Sequence, residues 1–337
     1  MNTTNYQKLL SPSFLENYFR DLFYDVINPY PLVNKNKDTI FINSGIQPIF
    51  HRSLESRIFF NKNIFISQPV IRTQYVDYLA ELYSLAFVNC TSATINGTEE
   101  NHRKMINHWL ELFYSLNLKP ENFTSKDKTY IRDWGNYAVY GSKTFYYYDD
   151  LEIGDTTFFT SIKNKDDNSI PFETMSDLGF GLERIRWLLN KENSYYDINT
   201  NNVDILPNIK ALISAIALLV VNKIKPANKE AGYRIRHFSK LIVTKYGLHI
   251  TPILEKYLNE CINYWTSWQK VNVDFKNCME TALKEIARNG NRFLLDSLSE
   301  LGYENIQGIN INVERNEFVK RLISSGVKKD NIQKILS

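Results

Sequence analysis

Cysteine is scarce: three in 337 residues, at Cys90, Cys261 and Cys278, an odd and scattered set. This excludes a disulfide framework and offers no zinc-ligand spacing; the expectation is a reducing, cytoplasmic setting. The five histidines (His51, His102, His108, His237, His249) make no paired ligand set, so no metal site is expected. Long apolar runs are missing too. The longest, Ile213 to Val221, is interrupted by Ser214 and is too short to span a bilayer, and no membrane partner is expected. The segment Met1 to Leu10 is polar and lacks the basic-then-apolar order of a secretory leader. Charge of one sign is absent in excess: 40 Lys and Arg stand against 37 Asp and Glu, a net +3. Whole-chain electrostatics therefore gives no argument for nucleic acid, and any such case rests on local clusters.

What is present is ordinary for a folded protein, with 43% hydrophobic and 23% charged residues, but rich in aromatics at 14%. The length allows a large core and two domains. Ser13 to Val26 has helical spacing after Ser11-Pro12. Thr39 to Ile42, Ile64 to Arg72 and Ser84 to Thr94 read as strands, His102 to Leu116 as a helix. Phe145 to Tyr148 and Thr156 to Ile162 are strand candidates around a turn containing Gly154, and Ile185 to Asn190 is helical. Beyond Asn201 the pattern becomes almost wholly helical. Polar, breaker-rich stretches at 192–202 put the boundary there, giving domains 1–198 and 199–337. Mixed strands and helices followed by helices alone predict an α+β domain and then an all-α one.

The most informative segment is Ser176-Asp177-Leu178-Gly179-Phe180-Gly181-Leu182-Glu183-Arg184. Glycines at a strand end let a ligand approach the backbone. An arginine at the start of the next helix can hold a phosphate through paired, charge-assisted hydrogen bonds. The same nine residues also suit a strand–turn–helix joint whose glycines serve packing alone. Arg72 closes a second strand and can project from its terminus; a salt-bridged arginine on an edge strand is the alternative.

These segments resemble class II aminoacyl-tRNA synthetases, and alanyl-tRNA synthetases in particular. Asp177-Leu-Gly-Phe-Gly-Leu-Glu-Arg184 resembles the third signature motif in its alanyl form. Phe41-Ile-Asn-Ser-Gly-Ile46, Ile66-Ser-Gln-Pro-Val-Ile-Arg72, Asp150-Leu-Glu-Ile-Gly-Asp155 and Pro226-Ala-Asn-Lys-Glu-Ala-Gly-Tyr-Arg-Ile-Arg236 resemble further segments of that family, in its order. The resemblance covers roughly 10–325 and implies a class II synthetase-type antiparallel β-sheet flanked by helices, then a helical domain that binds the tRNA acceptor stem. It implies that Arg72 and Arg184 stabilise phosphate charge during catalysis and that Phe87 packs on adenine. Gly179 and Gly181 would let ATP lie close to the strand, and Asp177 would take the substrate's amino group. Asp155 stands where the family has Asn; it joins Asp177 in the amino-acid site or is a turn residue after Gly154. Trp134 walls the amino-acid pocket or belongs to the core. ATP and Mg2+ are the implied cofactors. The loop after Arg72 is shorter than in the family, and nothing like the family's editing domain occurs.

Between Lys223 and Lys245 eight basic or imidazole side chains occur with one acid, Glu230. Phosphates attract such a cluster; a solvated helix face is its alternative. The resemblance favours tRNA, with Asn228 reading a base edge, Arg234 and Arg236 on the backbone, and Glu304 in place of a family aspartate. The expected function is ATP-dependent activation of a small amino acid, alanine or a relative, and its transfer to tRNA. Two alternatives are a tRNA-independent ligase that loads a carrier protein or small molecule, and an inactive RNA-binding regulator.

Overall fold

A computed structural model describes residues 10–34, 39–78, 84–190, 195–197, 204–245, 252–303 and 315–336. Contacts divide the chain into two compact units. One comprises 1–74, 86–199 and 267–270, the other 75–85, 200–266 and 271–337.

The first unit opens with α1 (Pro12–Asp21), capped by Ser11, whose hydroxyl accepts the Phe14 amide at 3.3 Å. Its predicted extent was longer. The helix stops because Phe23 takes a left-handed backbone (φ 62°), leaving its side chain 92% exposed, and the chain re-enters as strand β1 (Asp25–Ile27). Thr39–Ile42, expected as a strand, contributes only an isolated bridge between Phe41 and Val33. Helix α2 (Ile46–Ser56) follows, then β2 (Asn63–Ile71), β3 (Ala86–Ile95) and α3 (Glu99–Ser115). The last starts earlier than its apolar spacing predicts, because Thr98 and Asn101 form a reciprocal capping box.

Three long strands come next: β4 (Phe123–Trp134), β5 (Tyr137–Tyr148) and β6 (Leu151–Asn164). Strand β4 escapes the sequence reading because it is largely exposed and carries no apolar alternation. The β5–β6 turn falls at Asp149-Asp150, both with positive φ (47° and 64°), and not at Gly154. Short polar residues accept that backbone in a tight hairpin. Gly154 lies inside β6, where a side chain would overlap the Phe180 ring and the Gly179 carbonyl. Strand β7 (Met175–Gly181) runs into α4 (Leu182–Leu189).

The sheet has the order β1-β2-β3-β7-β6-β5-β4, antiparallel except for β1 with β2. This is the α+β architecture expected: a sheet flanked by helices, with a helical unit beside it in sequence. Alternation along each strand gives the sheet two chemically distinct faces. One is covered by α3, whose Trp109 packs on Phe180 and donates to the Ser92 hydroxyl at 2.9 Å. On the other, α2 covers one end with Ile46, Ile49 and Phe50 against Ile66, Ala93, Phe159 and Met175. The rest of that face borders a cavity.

In the second unit α5 (Pro207–Val221) is buried on nearly every side, which accounts for its lack of a polar stripe. The indole of Trp265, on α7 (Pro252–Gln269), donates to the Ser214 carbonyl at 2.9 Å. Helices α6 (Glu230–Thr244), α8 (Phe275–Glu300), α9 (Arg315–Ser324) and α10 (Lys329–Leu336) complete it. No helix among the described residues is long and apolar enough to cross a membrane. All three cysteines are free and buried.

Candidate active site

Strand register assembles the site. On β7, Asp177, Gly179 and Gly181 alternate onto the cavity face. Gly181 lies opposite Asn89 and Gly179 opposite Thr91 on β3; Gly179 faces Asp155 and Asp177 faces Thr157 on β6. Lys143 of β5 stands opposite Thr157. Arg72 follows β2 directly. Arg72, Trp134, Asp155 and Asp177 all line one cavity of about 430 Å3, together with Lys143 and Tyr130. That volume lies within the range of small-molecule sites.

Asp177 is the dominant electrostatic feature. One of its carboxylate oxygens, Oδ1, is buried without a hydrogen-bond partner. Burial, reinforced by the Asp155 carboxylate, pushes its pKa up to about 7, against the opposing pull of Lys143 and hydrogen bonds from Thr157. Asp155 is no turn residue; it sits inside β6 and pairs with the Lys143 ammonium at 2.8 Å. Burial alone would lower the Lys143 pKa, but Asp155 and then Asp177 outweigh it and the net shift is upward. The ammonium also lies over the rings of Phe145 (5.0 Å) and Tyr130 (5.6 Å).

Arg72 does not follow an edge strand. Strand β2 lies between β1 and β3, and no ion pair of Arg72 occurs among the described residues. Its Nε donates to the Asn43 carbonyl at 3.1 Å, and its guanidinium lies 4.8 Å from the centre of the Phe87 ring. Trp134 does both things the sequence allows: it lines the cavity and packs edge-on against Phe50 and Phe159, its indole donating to the Tyr130 hydroxyl at 3.1 Å.

The glycines differ. A β-carbon at Gly179 would come within 3.2 Å of the Asn89 amide nitrogen, so neighbouring protein already restricts it. At Gly181 it would meet, among the described residues, only the Phe87 ring, at an ordinary 3.8 Å. Packing inside the protein therefore does not account for glycine at 181. Arg184, by contrast, does not line the cavity; its Nη1 donates to the Glu152 carbonyl at 2.7 Å. Both carboxylate oxygens of its neighbour Glu183 accept the Val88 amide at 3.1 Å, fastening α4 to β3.

In the second unit the basic segment is dispersed. Lys223, Lys225, Lys229, Lys240 and Lys245 are exposed, as is Asn228. Arg236 is engaged with the buried carboxylate of Glu285 at 3.7 Å, and Arg234 lies over Tyr233 at 5.8 Å. Gly232 packs so closely on the backbone of Lys225 and Ala227 that any side chain there would overlap it. Glu304 lies outside the described residues.

Lys143 and Tyr130 were missed by sequence reading. The consecutive aromatic run Phe145–Tyr148, extended backwards, was the available signal for the strand that carries Lys143. Among the described residues no group of three or more His, Cys, Asp or Glu could hold a metal ion.

No protein-family model matches this chain, and no curated protein matches it. Among solved structures, it is similar to the pyrrolysyl-tRNA synthetase of Desulfitobacterium hafniense at 12% identity, over 61% of this chain and 75% of that one, with a TM-score of 0.39. A second structure, of the pyrrolysyl-tRNA synthetase PylSc from the same organism, is similar at 13% identity, over 61% and 81%, with the same TM-score.

Proposed function

We infer that the sheet cavity activates a small amino acid, alanine or a relative, with ATP. The observation that carries this is the half-buried Asp177, whose buried Oδ1 has no partner among the described residues, in the same cavity as the Arg72 guanidinium. An amino acid is a cation and an anion a few bonds apart, and the two side chains are complementary to those ends. Asp177 holds the ammonium. The substrate carboxylate attacks the α-phosphorus of ATP; an O–P bond forms, the bond to the bridging oxygen breaks, and pyrophosphate leaves. Arg72 stabilises the negative charge that builds at the phosphorus. Phe87 keeps Arg72 in place and offers a ring for the nucleotide base. Glycine at 181, unexplained by packing, suits a nucleotide lying along the strand end. Mg2+ would enter on the triphosphate, which supplies its hard oxygen ligands. Of the cavity's three carboxylates, Asp155 is already bonded to Lys143 and Asp133 to Lys165, and with Asp177 they make no cage for it.

The aminoacyl-adenylate would pass its acyl group to a tRNA acceptor end, with the helical unit and its exposed lysines holding the phosphates. A tRNA-independent ligase is the second reading, favoured by the engagement of Arg236 with Glu285 inside the protein. The deciding experiment is amino-acid-dependent exchange of pyrophosphate into ATP, run over all amino acids with and without tRNA. Exchange with a small amino acid is expected; none with any amino acid would overturn activation. Aminoacylation of tRNA by the same enzyme selects the first reading over the second.

A further inference from the structure

The cavity already contains a cation of its own, and this constrains its substrate. Lys143 is buried for most of its length, bonds Asp155 at 2.8 Å, and lies close enough to Asp177 to be shifted by it. Counted as charges, Asp155 and Lys143 cancel, the exposed Asp133 is paired with Lys165 at 3.6 Å, Asp177 is balanced once an ammonium arrives and Arg72 once a carboxylate does. A substrate side chain carrying a further charge would leave the half-enclosed site with an uncompensated one, which is costly. A methyl group laid against the Lys143–Asp155 pair would strip water from both ions and return no hydrogen bond. A neutral group that both donates and accepts meets both: the ammonium has three donors, of which Asp155 takes one, and the Asp155 carboxylate accepts through two oxygens.

We propose that Lys143 and Asp155 form a side-chain subsite selecting small amino acids with a neutral hydroxyl or carboxamide group over their methyl counterparts. The proposal rests on amino-acid activation at this cavity. With Asp177 on the ammonium and Arg72 on the carboxylate, the third substituent of the substrate's α-carbon is directed at what remains of the lining. There, among the described residues, the ion pair with both members in the lining is Lys143 with Asp155, set among the aromatic walls of Tyr130, Trp134 and Phe159. A site built to hydrogen-bond a substrate group discriminates strongly against the analogue lacking it, because its own polar groups are then left unpaired.

The test compares isosteric pairs on the wild-type enzyme: serine with 2-aminobutyrate, and homoserine with norvaline. Each is measured by pyrophosphate exchange and, without ATP, by calorimetric binding. The hydroxylated member should lead by about tenfold or more in kcat/KM and in affinity. Lys143→Met and Asp155→Asn, which keep side-chain length, should bring each pair to within about threefold, whereas a merely structural lesion would weaken both members alike. Equal or reversed preference in the wild type overturns the subsite, as does tighter binding of aspartate or of 2,3-diaminopropionate. Selective binding of the hydroxylated members without any exchange would retain the subsite and overturn activation. Failure of every amino acid to bind overturns both.

Discussion

The sheet cavity and the basic segment of the helical unit gather charge in opposite ways. Arg72, Lys143, Asp155 and Asp177 come from four separate segments, and strand register brings them to one cavity. The lysines and arginines between 223 and 245 come from one short segment and do not share one place. Some point to solvent, and Arg236 is engaged by Glu285. Proximity in sequence is thus a poor guide to concentration of charge. Burial of like charges costs free energy that a fold bears only when something offsets it, so convergence on a sheet is the stronger sign of chemistry.

The largest test of this contrast is Asp177. Folded, it keeps its proton up to about pH 7; in an unfolded chain, only to about 4. Between these values the folded state binds the extra proton, so stability falls as pH rises through the window, and above it the loss is on the order of 4 kcal/mol. Asp177→Asn should therefore raise the melting temperature of the sheet unit by several degrees at pH 8, with no difference below pH 4, while abolishing amino-acid binding. In the wild type, the apparent KM for the amino acid should climb about tenfold per unit as pH drops below about 7, because only the carboxylate attracts the ammonium. A melting difference independent of pH would mean that Asp177 is not the strained group.

Next in size is Arg72. Removing one preorganised donor at a developing charge costs about 3 kcal/mol. Arg72→Ala should lower pyrophosphate exchange a hundredfold or more, with melting nearly unchanged, since its contacts among the described residues are one hydrogen bond to Asn43 and the Phe87 ring. Exchange at the wild-type rate would detach phosphate chemistry from the cavity.

How far the sequence revealed all this varied with the physics of each element. Strands β2 and β3 were legible because they are buried on both faces and rich in apolar and β-branched residues. Asp177, Arg72 and Asp155 were legible through the segments around them. Strand β4 was not, because its residues face solvent and follow no apolar period. The hairpin turn was misplaced onto Gly154, since glycine is the usual breaker, while Asp149-Asp150 carry the left-handed backbone instead. Lys143 was invisible for a deeper reason. Nothing beside it in sequence marks it; only the pairing of β5 with β6 sets it opposite Thr157 and beside Asp155.

Gly232 sharpens the comparison from the helical side. Its contact with the Lys225–Ala227 backbone explains the Pro-x-Asn-x-x-x-Gly spacing by packing alone. Gly232→Ala should destabilise the helical unit by about 1–3 kcal/mol through overpacking. Asn228→Ala, at an exposed position, should leave melting unchanged. If Asn228→Ala lowers tRNA affinity at constant stability, the segment serves both packing and recognition; if it lowers neither, packing is its whole role.

The smallest expected effect is that of the exposed lysines. Lys223, Lys225 and Lys229 lie within seven positions of one another at the start of the segment, all exposed, none in an ion pair among those described. Each phosphate contact releases counterions on binding, so each lost contact flattens the dependence of log affinity on log salt by about one unit. The triple Lys→Ala variant should bind tRNA more weakly, most clearly at low salt, with its slope reduced by up to about three. Adenylate formation should be untouched, because the sheet cavity contains none of these residues. An unchanged slope would make this stretch a solvated surface, and the tRNA-independent ligase would then be the better account of the cavity. A matching drop in pyrophosphate exchange would instead deny the separation on which the whole contrast rests, by showing that the lysines act on the chemistry and not on the acceptor.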